Sequence, residues 1–369
     1  MHAARFQADC IELAAERVAR GEMDRRDFLR ALAMIGATAT LGGTRAMADT
    51  AKEIVICNFG GDGVPAWTKA WAEPFTKDTG IKCTIIGGEP TPGAIKAMAE
   101  SGKITWDMTD GDMYYLPLLA KAGYIQSYDY TKVDKTKVRP EFVADYGCAN
   151  YMYSYVCGYD TAKTGGRAPN GFKDFLNFKD FPGKRSIYKW VMGTLEAVLI
   201  ADGVEPSKLY PLDVKRAFAL LKANKDQFIL WGGGAASQQV FRDGEVAMGV
   251  IWSTRASVMD RETKGRVTWT WDNGIIAPGV PPVLAKNPAG PAIWDFVASM
   301  QKPERQVELL KLLGNGPANP AADALLTPEL QKIDPAYEPN YRRQIPVNSD
   351  WYAANYDKVQ DDFLDLMSS

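Results

Sequence analysis

Beyond His2 the 369-residue chain contains no histidine. That absence excludes Ser-His-Asp and Cys-His nucleophile systems, histidine-bearing zinc sites and imidazole acid–base chemistry from nearly the whole molecule. A dominant charge sign is missing too: 43 Lys and Arg stand against 45 Asp and Glu, a formal net charge of −2. Such a chain has no electrostatic hold on nucleic acid or on an anionic membrane. No apolar run is long enough to span a bilayer, and there are no internal repeats, low-complexity tracts or G-x-G-x-x-G fingerprint. Carboxylate-only or lysine chemistry survives these exclusions, but nothing in the sequence arranges for it, and neither a cofactor nor a metal site is expected.

What is present begins with a leader. Arg25 and Arg26 precede a short, weakly apolar segment, Ala31 to Leu41, and Ala46 and Ala48 form an A-x-A pattern before Asp49. This reads as a twin-arginine signal peptide over residues 1–48, cleaved after Ala48, with the twin-arginine translocase as the export partner and the periplasm as the destination. An amphipathic helix with a chance arginine pair is the alternative, but it leaves the cleavage pattern unexplained. No cysteine follows the apolar segment, which argues against a lipid anchor. The leader's seven basic and six acidic residues leave 321 residues with a net charge of −3, enough chain for two cores.

Four cysteines lie beyond the leader: Cys57, Cys83, Cys148 and Cys157. An even number in an oxidising compartment permits two disulfides. The spacing favours a Cys148–Cys157 bridge and leaves Cys57–Cys83 open, with four buried free thiols as the alternative.

From Asp49 strand-like and helix-like segments alternate. Lys52 to Asn58 reads as a buried strand, Val64 to Thr79 as a helix and Ile81 to Ile86 as a second strand, together one βαβ unit. A helix over Thr91 to Ser101, a strand over Ile104 to Thr109 and a helix over Tyr114 to Ala122 continue the pattern. Tyr146 to Asp160 is dense in aromatic and small residues without helical period, which suits extended crossing strands. A second α/β series follows, with strands at Arg185 to Tyr188, Gln227 to Trp231 and Glu245 to Trp252. Extended chain over Ile275 to Asn287 then leads to helices over Pro291 to Met300 and Glu304 to Leu313. The expected fold is α/β and two-lobed, with residues 49–155 plus 277–316 in one lobe and 160–273 plus 320–369 in the other. Hinge crossings fall near 156–159, 274–276 and 317–319.

Three loops carry candidate ligand-binding residues. Asn58-Phe59-Gly60-Gly61-Asp62-Gly63 joins a strand end to a helix start, where backbone N–H groups are free; it is either a binding loop using Phe59 and Asp62 or a tight turn capped by Asp62. Asp110-Gly111-Asp112-Met113-Tyr114-Tyr115 sets two carboxylates and two phenols at the next strand end. A carboxylate gives an ammonium a charge-assisted bond, and aromatic faces attract the same cation, so this reads as an amine-recognition loop with Asp112 and Tyr114. Its alternatives are a helix cap with a packed tyrosine and a sparse metal site. The strand over Glu245 to Trp252 ends in an exposed Trp252 followed by Ser253, Thr254 and Arg255, an aromatic wall and a guanidinium able to hold a carboxylate in bidentate fashion; the alternative makes Trp252 core and Arg255 a surface ion-pair partner. Trp190, Asn319 and Trp351 are further candidates, whereas Trp67, Trp71 and Trp294 lie at helical spacing and read as core.

The leader, the two-lobed layout, Trp106-Asp107-Met108-Thr109-Asp110, Gly244 to Trp252 and the Gly316-Pro317-Ala318-Asn319-Pro320 loop together resemble the extracellular solute-binding proteins of ABC importers, in their spermidine/putrescine-binding branch. The resemblance covers nearly all of 50–369. It implies a monomer without enzymatic activity that closes its lobes on a small molecule and hands it to an inner-membrane permease. It also puts Asp112, Tyr114 and Trp252 at the ligand. Two departures stand out: Lys189-Trp190-Val191-Met192-Gly193 and Ile275-Ile276-Ala277 occupy places where polyamine binders carry acids. With Asp112, and Asp62 beside it, on one lobe and Arg255 on the other, the expected ligand is a zwitterion, an ω-amino acid or an opine-like compound. A polyamine is the alternative. An exported carboxylate hydrolase using Asp112 with Glu196 or Asp272 is the remote one.

Overall fold

The computed structural model describes residues 53–368; the leader and its cleavage pattern lie outside them. In chain order the elements are β1 (Glu53–Asn58), α1 (Gly63–Trp67), a π-helical turn (Thr68–Ala72), α2 (Glu73–Thr79), β2 (Lys82–Gly87), α3 (Pro92–Ser101), β3 (Met108–Thr109), a 3₁₀ turn (Met113–Tyr115) and α4 (Leu116–Lys121). They continue with β4 (Val143–Ala144), β5 (Gly147–Cys148), β6 (Tyr151–Asp160), β7 (Lys184–Tyr188), α5 (Thr194–Ala201), α6 (Val214–Ala223), β8 (Phe228–Trp231), α7 (Gly234–Arg242), β9 (Val246–Trp252), α8 (Ser253–Thr263) and β10 (Val267–Gly279). The chain ends with α9 (Ala292–Met300), α10 (Pro303–Leu313), β11 (Gly316–Pro317), α11 (Pro328–Ile333), α12 (Glu338–Tyr341), β12 (Ile345–Pro346) and α13 (Ser349–Ser368).

Two sheets divide the molecule into two lobes. The first is parallel, in the order β2-β1-β3, and the chain beyond β10 runs antiparallel along β3 through bridges such as Met108 to Val283. Ile54 to Cys57 of β1 are buried on both faces, as a parallel strand with helices on each side requires. Helices α9 and α10 cover this lobe, with Phe296 of α9 edge-on to Phe75 of α2 at 5.2 Å. The second sheet runs β12-β10-β6-β9-β7-β8, with β11 also paired to β6. Here β7 is parallel to β8 and β9, whereas β6 is antiparallel to both β9 and β10.

Strand β10 begins eight residues before the extended segment read from the sequence. Its Val267–Thr270 stretch pairs with Asp160–Cys157, a bulge follows over 271–274, and pairing resumes from Ile275 to Tyr155. Asn273 takes a positive φ of 58° in that bulge, a conformation asparagine tolerates better than most residues. The segment read as a strand over Ile104 to Thr109 narrows to Met108–Thr109.

The four cysteines among the described residues are free thiols, which corrects the expected Cys148–Cys157 bridge. Cys148 pairs in register with Val143 in the small β4-β5 ribbon, while Cys157 lies in the middle of the large sheet between Val250 and Thr270. Cys83 lies opposite Ile54 and Cys57 opposite Ile86, so the two cysteines are three residues out of register. At about 3.3 Å per residue that is too far for a bridge. Burial pushes the Cys148 and Cys157 thiols up to about 12, so they act as small apolar residues rather than nucleophiles.

Candidate functional site

A cavity lies between the lobes. Its walls come from the ends of β1, β3, β7 and β9, from alternate residues of β6 and from one residue of the C-terminal helix. Eleven of its 24 lining residues are aromatic, and only three are charged: Asp110, Asp112 and Arg255. That composition suits a small ligand held on aromatic faces and oriented by a few charges.

The carboxylate wall follows β3. Asp110 accepts hydrogen bonds from the Tyr151 hydroxyl and, at 2.9 Å, from its neighbour's N–H at Gly111. Asp112 accepts one from the Tyr153 hydroxyl at 2.6 Å. Burial is the main reason both carboxyls are shifted upward, to about 7 for Asp110 and about 6 for Asp112; the charge of Asp112 adds to the shift on Asp110, and the tyrosine bonds oppose it. The Arg255 guanidinium favours the ionised form of Asp110, but burial outweighs it. Gly111 has no room for a side chain, because a Cβ there would meet the Tyr115 hydroxyl and the Pro282 ring.

The cationic pole is Arg255, in the first turn of α8 directly after β9. This helix is not legible in the sequence, since Ser253 to Thr263 is polar and lacks an apolar stripe. Arg255 is 4% exposed. Its guanidinium slots between glycines: a Cβ at Gly234 would collide with it, and one at Gly63 would come within 3.2 Å of Nη2. Nη2 donates to the Gly60 carbonyl of the other lobe at 3.1 Å, while Nε is buried without a partner. Among the described residues no carboxylate lies within 4.0 Å of its nitrogens, although Asp62 and Asp110 are near enough to favour its charge. Burial outweighs that help and lowers its pKa. Thr254 and Asn315 line the cavity beside it, and the Asn315 side-chain oxygen is likewise buried and unpartnered.

The remaining candidates divide. Phe59, Tyr114, Trp190 and Trp252 line the cavity with Asp112 and Arg255. Trp252 is 7% exposed rather than open, packed edge-on to Trp231 at 5.0 Å and to Tyr188 at 5.2 Å. Asp62 is not on the lining; it sits at the start of α1 and acts on Arg255 only through its charge. Asn319 is not on it either, because its side chain donates to the Gln301 carbonyl and accepts from the Ala321 N–H, capping a 3₁₀ turn. Trp351 packs on Tyr352 outside the cavity. The two acids considered for hydrolysis are engaged elsewhere. Glu196 accepts from Gly193 N–H and from the Tyr210 and Tyr352 hydroxyls, and Asp272 is ion-paired with Arg343 at 2.9 Å.

Several lining residues escaped the sequence reading, Trp67, Tyr188 and Asn315 among them. Tyr151, Tyr153 and Tyr155 point to one face of β6, a period-2 alternation visible in the sequence once the strand is recognised. Tyr356 comes from α13, whose buried Tyr352, Tyr356, Val359 and Phe363 follow i, i+4, i+7, i+11 spacing. Its ring lies 4.8 Å from Tyr114 and 6.3 Å from Trp190, nearly parallel to the latter.

Two α/β lobes enclosing a histidine-free cavity with opposed charges define a ligand-capture protein. The chain belongs to the bacterial extracellular solute-binding protein family, whose model matches residues 70–339. Proteins of this family bind small molecules for ABC importers and are not enzymes. The chain is similar to the gamma-aminobutyric acid-binding protein of Pseudomonas aeruginosa, 27% identical over 320 residues that cover 85% of this chain and 90% of the other. Among solved structures it resembles the Atu4243 GABA receptor, with 32% identity, a TM-score of 0.74 and coverage of 85% and 97% of the two chains. It also resembles MotA of A. tumefaciens B6 in complex with glucopine, with 26% identity, a TM-score of 0.80 and coverage of 85% and 99%.

Proposed function

We propose that this protein captures a small zwitterion, an ω-amino acid of the 4-aminobutyrate kind or a compact opine-like amino compound, and delivers it to an inner-membrane permease. The observation that carries this reading is Arg255: a buried guanidinium without a carboxylate partner, in the same cavity as a pair of under-neutralised carboxyls. An unpaired buried charge is costly, so each pole gains when a ligand group of opposite sign arrives. The ammonium goes to Asp110 and Asp112 within reach of the aromatic faces, and the carboxylate to Arg255. A diamine would leave Arg255 unpaired and set a second cation against it. The GABA and glucopine bound by similar proteins support the same ligand class.

The proposal extends to motion and address. The lobes, bounded as the sequence suggests at 49–155 plus 277–316 and 160–273 plus 320–369, hinge where β6 and β10 cross, near 156–159, 274–276 and 317–319. The β10 bulge over 271–274 is a natural point of flexure beside them. Export by the twin-arginine route, cleavage after Ala48 and a monomeric periplasmic form complete the reading. Mass spectrometry of the small molecules released on denaturing the purified protein tests the ligand class: an amino acid or opine supports it, and a polyamine sinks it.

A further inference from the structure

We propose that Lys189 is a specificity-determining residue, forming with Glu89 a cross-lobe gate at the cavity mouth that slows ligand release and disfavours a second cationic group on the ligand. Lys189 follows β7 in the second lobe, and its Nζ lies 2.9 Å from Oε1 of Glu89, which follows β2 in the first. The next residue on each side, Trp190 and Pro90, lines the cavity. The pair therefore spans the gap between the lobes at the rim and breaks whenever they part.

The lysine is held in place. Its N–H donates to the Trp231 carbonyl at 2.9 Å, and its own carbonyl accepts from Gln360 of α13 at 3.0 Å. The other end of the Gln360 amide accepts the Val191 N–H at 2.9 Å, so the buried Gln360 positions the segment that carries both Lys189 and Trp190. The lysine side chain runs over Gly232, where a Cβ would come 2.9 Å from Nζ, and Nζ sits 5.7 Å from the Trp190 ring centroid. An ammonium at this position answers a ligand carboxylate or a neutral group without penalty and repels a second ammonium, so the gate selects by repulsion as well as by closure. Both partners remain partly solvated, so the effect on release is modest and falls with salt.

Because the selectivity of the gate rests on the zwitterion reading, the experiment begins with wild-type protein and two probes, 4-aminobutyrate and putrescine, followed by tryptophan fluorescence in stopped flow. Glu89→Gln and Lys189→Gln should each speed 4-aminobutyrate release about two- to fivefold at low salt, and the double variant no more than either alone. At about 1 M salt, where the screening length is about 3 Å, the wild type should converge on the variants. Lys189→Gln should tighten putrescine binding relative to wild type, and Glu89→Gln should not. Unchanged release rates, or additive effects in the double variant, would overturn the gate. If wild type binds neither probe, the ligand reading fails by itself. The gate is then judged from small-angle scattering of the ligand-free protein: expansion in both single variants supports it, and an unchanged radius of gyration overturns it.

Discussion

Replacing Arg255 with methionine separates a functional residue from a structural one. The side chain is buried, makes one hydrogen bond to Gly60 across the lobes, and leaves Nε without a partner. Methionine keeps most of its volume, so the core loses little packing. Removing one partner of a buried, hydrogen-bonded charge pair costs about 2–5 kcal/mol of binding energy. At about 1.4 kcal/mol per decade this weakens ligand binding by about 30- to 4,000-fold. The ligand-free protein behaves differently. There the substitution removes a cation whose pKa burial has already lowered, at the expense of a single hydrogen bond, so stability should hold steady or rise. Calorimetric titration and thermal melting, run on wild type and on Arg255→Met, read the two effects separately. A variant that binds as tightly as wild type but melts at lower temperature would refute the reasoning and make Arg255 a structural pin.

Other outcomes follow from the same geometry. Ligand affinity should fall as pH drops from about 7 to below about 6, approaching tenfold per pH unit for each titrating carboxyl, because an arriving ammonium favours the ionised forms of Asp110 and Asp112; calorimetry across that range checks it. The stability of the ligand-free protein should respond with the opposite sign. These carboxyls bind protons more tightly folded than unfolded, so their contribution is present below about 3.9 and lost as pH rises through about 6 to 7, which urea melts in the absence of ligand would show. Glu196→Ala should cost about 2–4 kcal/mol in urea unfolding, since it strands the Gly193 N–H and two tyrosine hydroxyls, while Glu196→Gln should cost much less. Reducing agent should leave the melting temperature unchanged, because the four cysteines beyond the leader are free thiols.

The parts of this architecture that show in the sequence are those whose signal is local. The first lobe's β1 and β2 and the second lobe's β9 are apolar runs ended by Asn, Gly and Trp, and the carboxylate loop after β3 and Arg255 after β9 sit at strand ends, where α/β folds place ligands. What stays hidden depends on distant packing. The first half of β10 is disguised by the Trp-Asp-Asn-Gly bulge, and α8 is too polar to show a period. Asn319 and Asp62 sit in loops near the right strands, yet the Asn319 side chain caps a 3₁₀ turn and Asp62 falls outside the cavity lining at the start of α1. Tyr356 lies 242 residues along the chain from Tyr114, whose ring it meets, and only the folded chain brings α13 to the cavity wall.

The central claim is that the cavity pairs both poles of a zwitterion. Calorimetric titration of the ligand-free protein with 4-aminobutyrate and with putrescine, repeated on Arg255→Ala, tests it most directly. The expected result is that wild type binds 4-aminobutyrate more tightly than putrescine and that the variant loses that preference. Tight putrescine binding that survives the loss of Arg255 would contradict it.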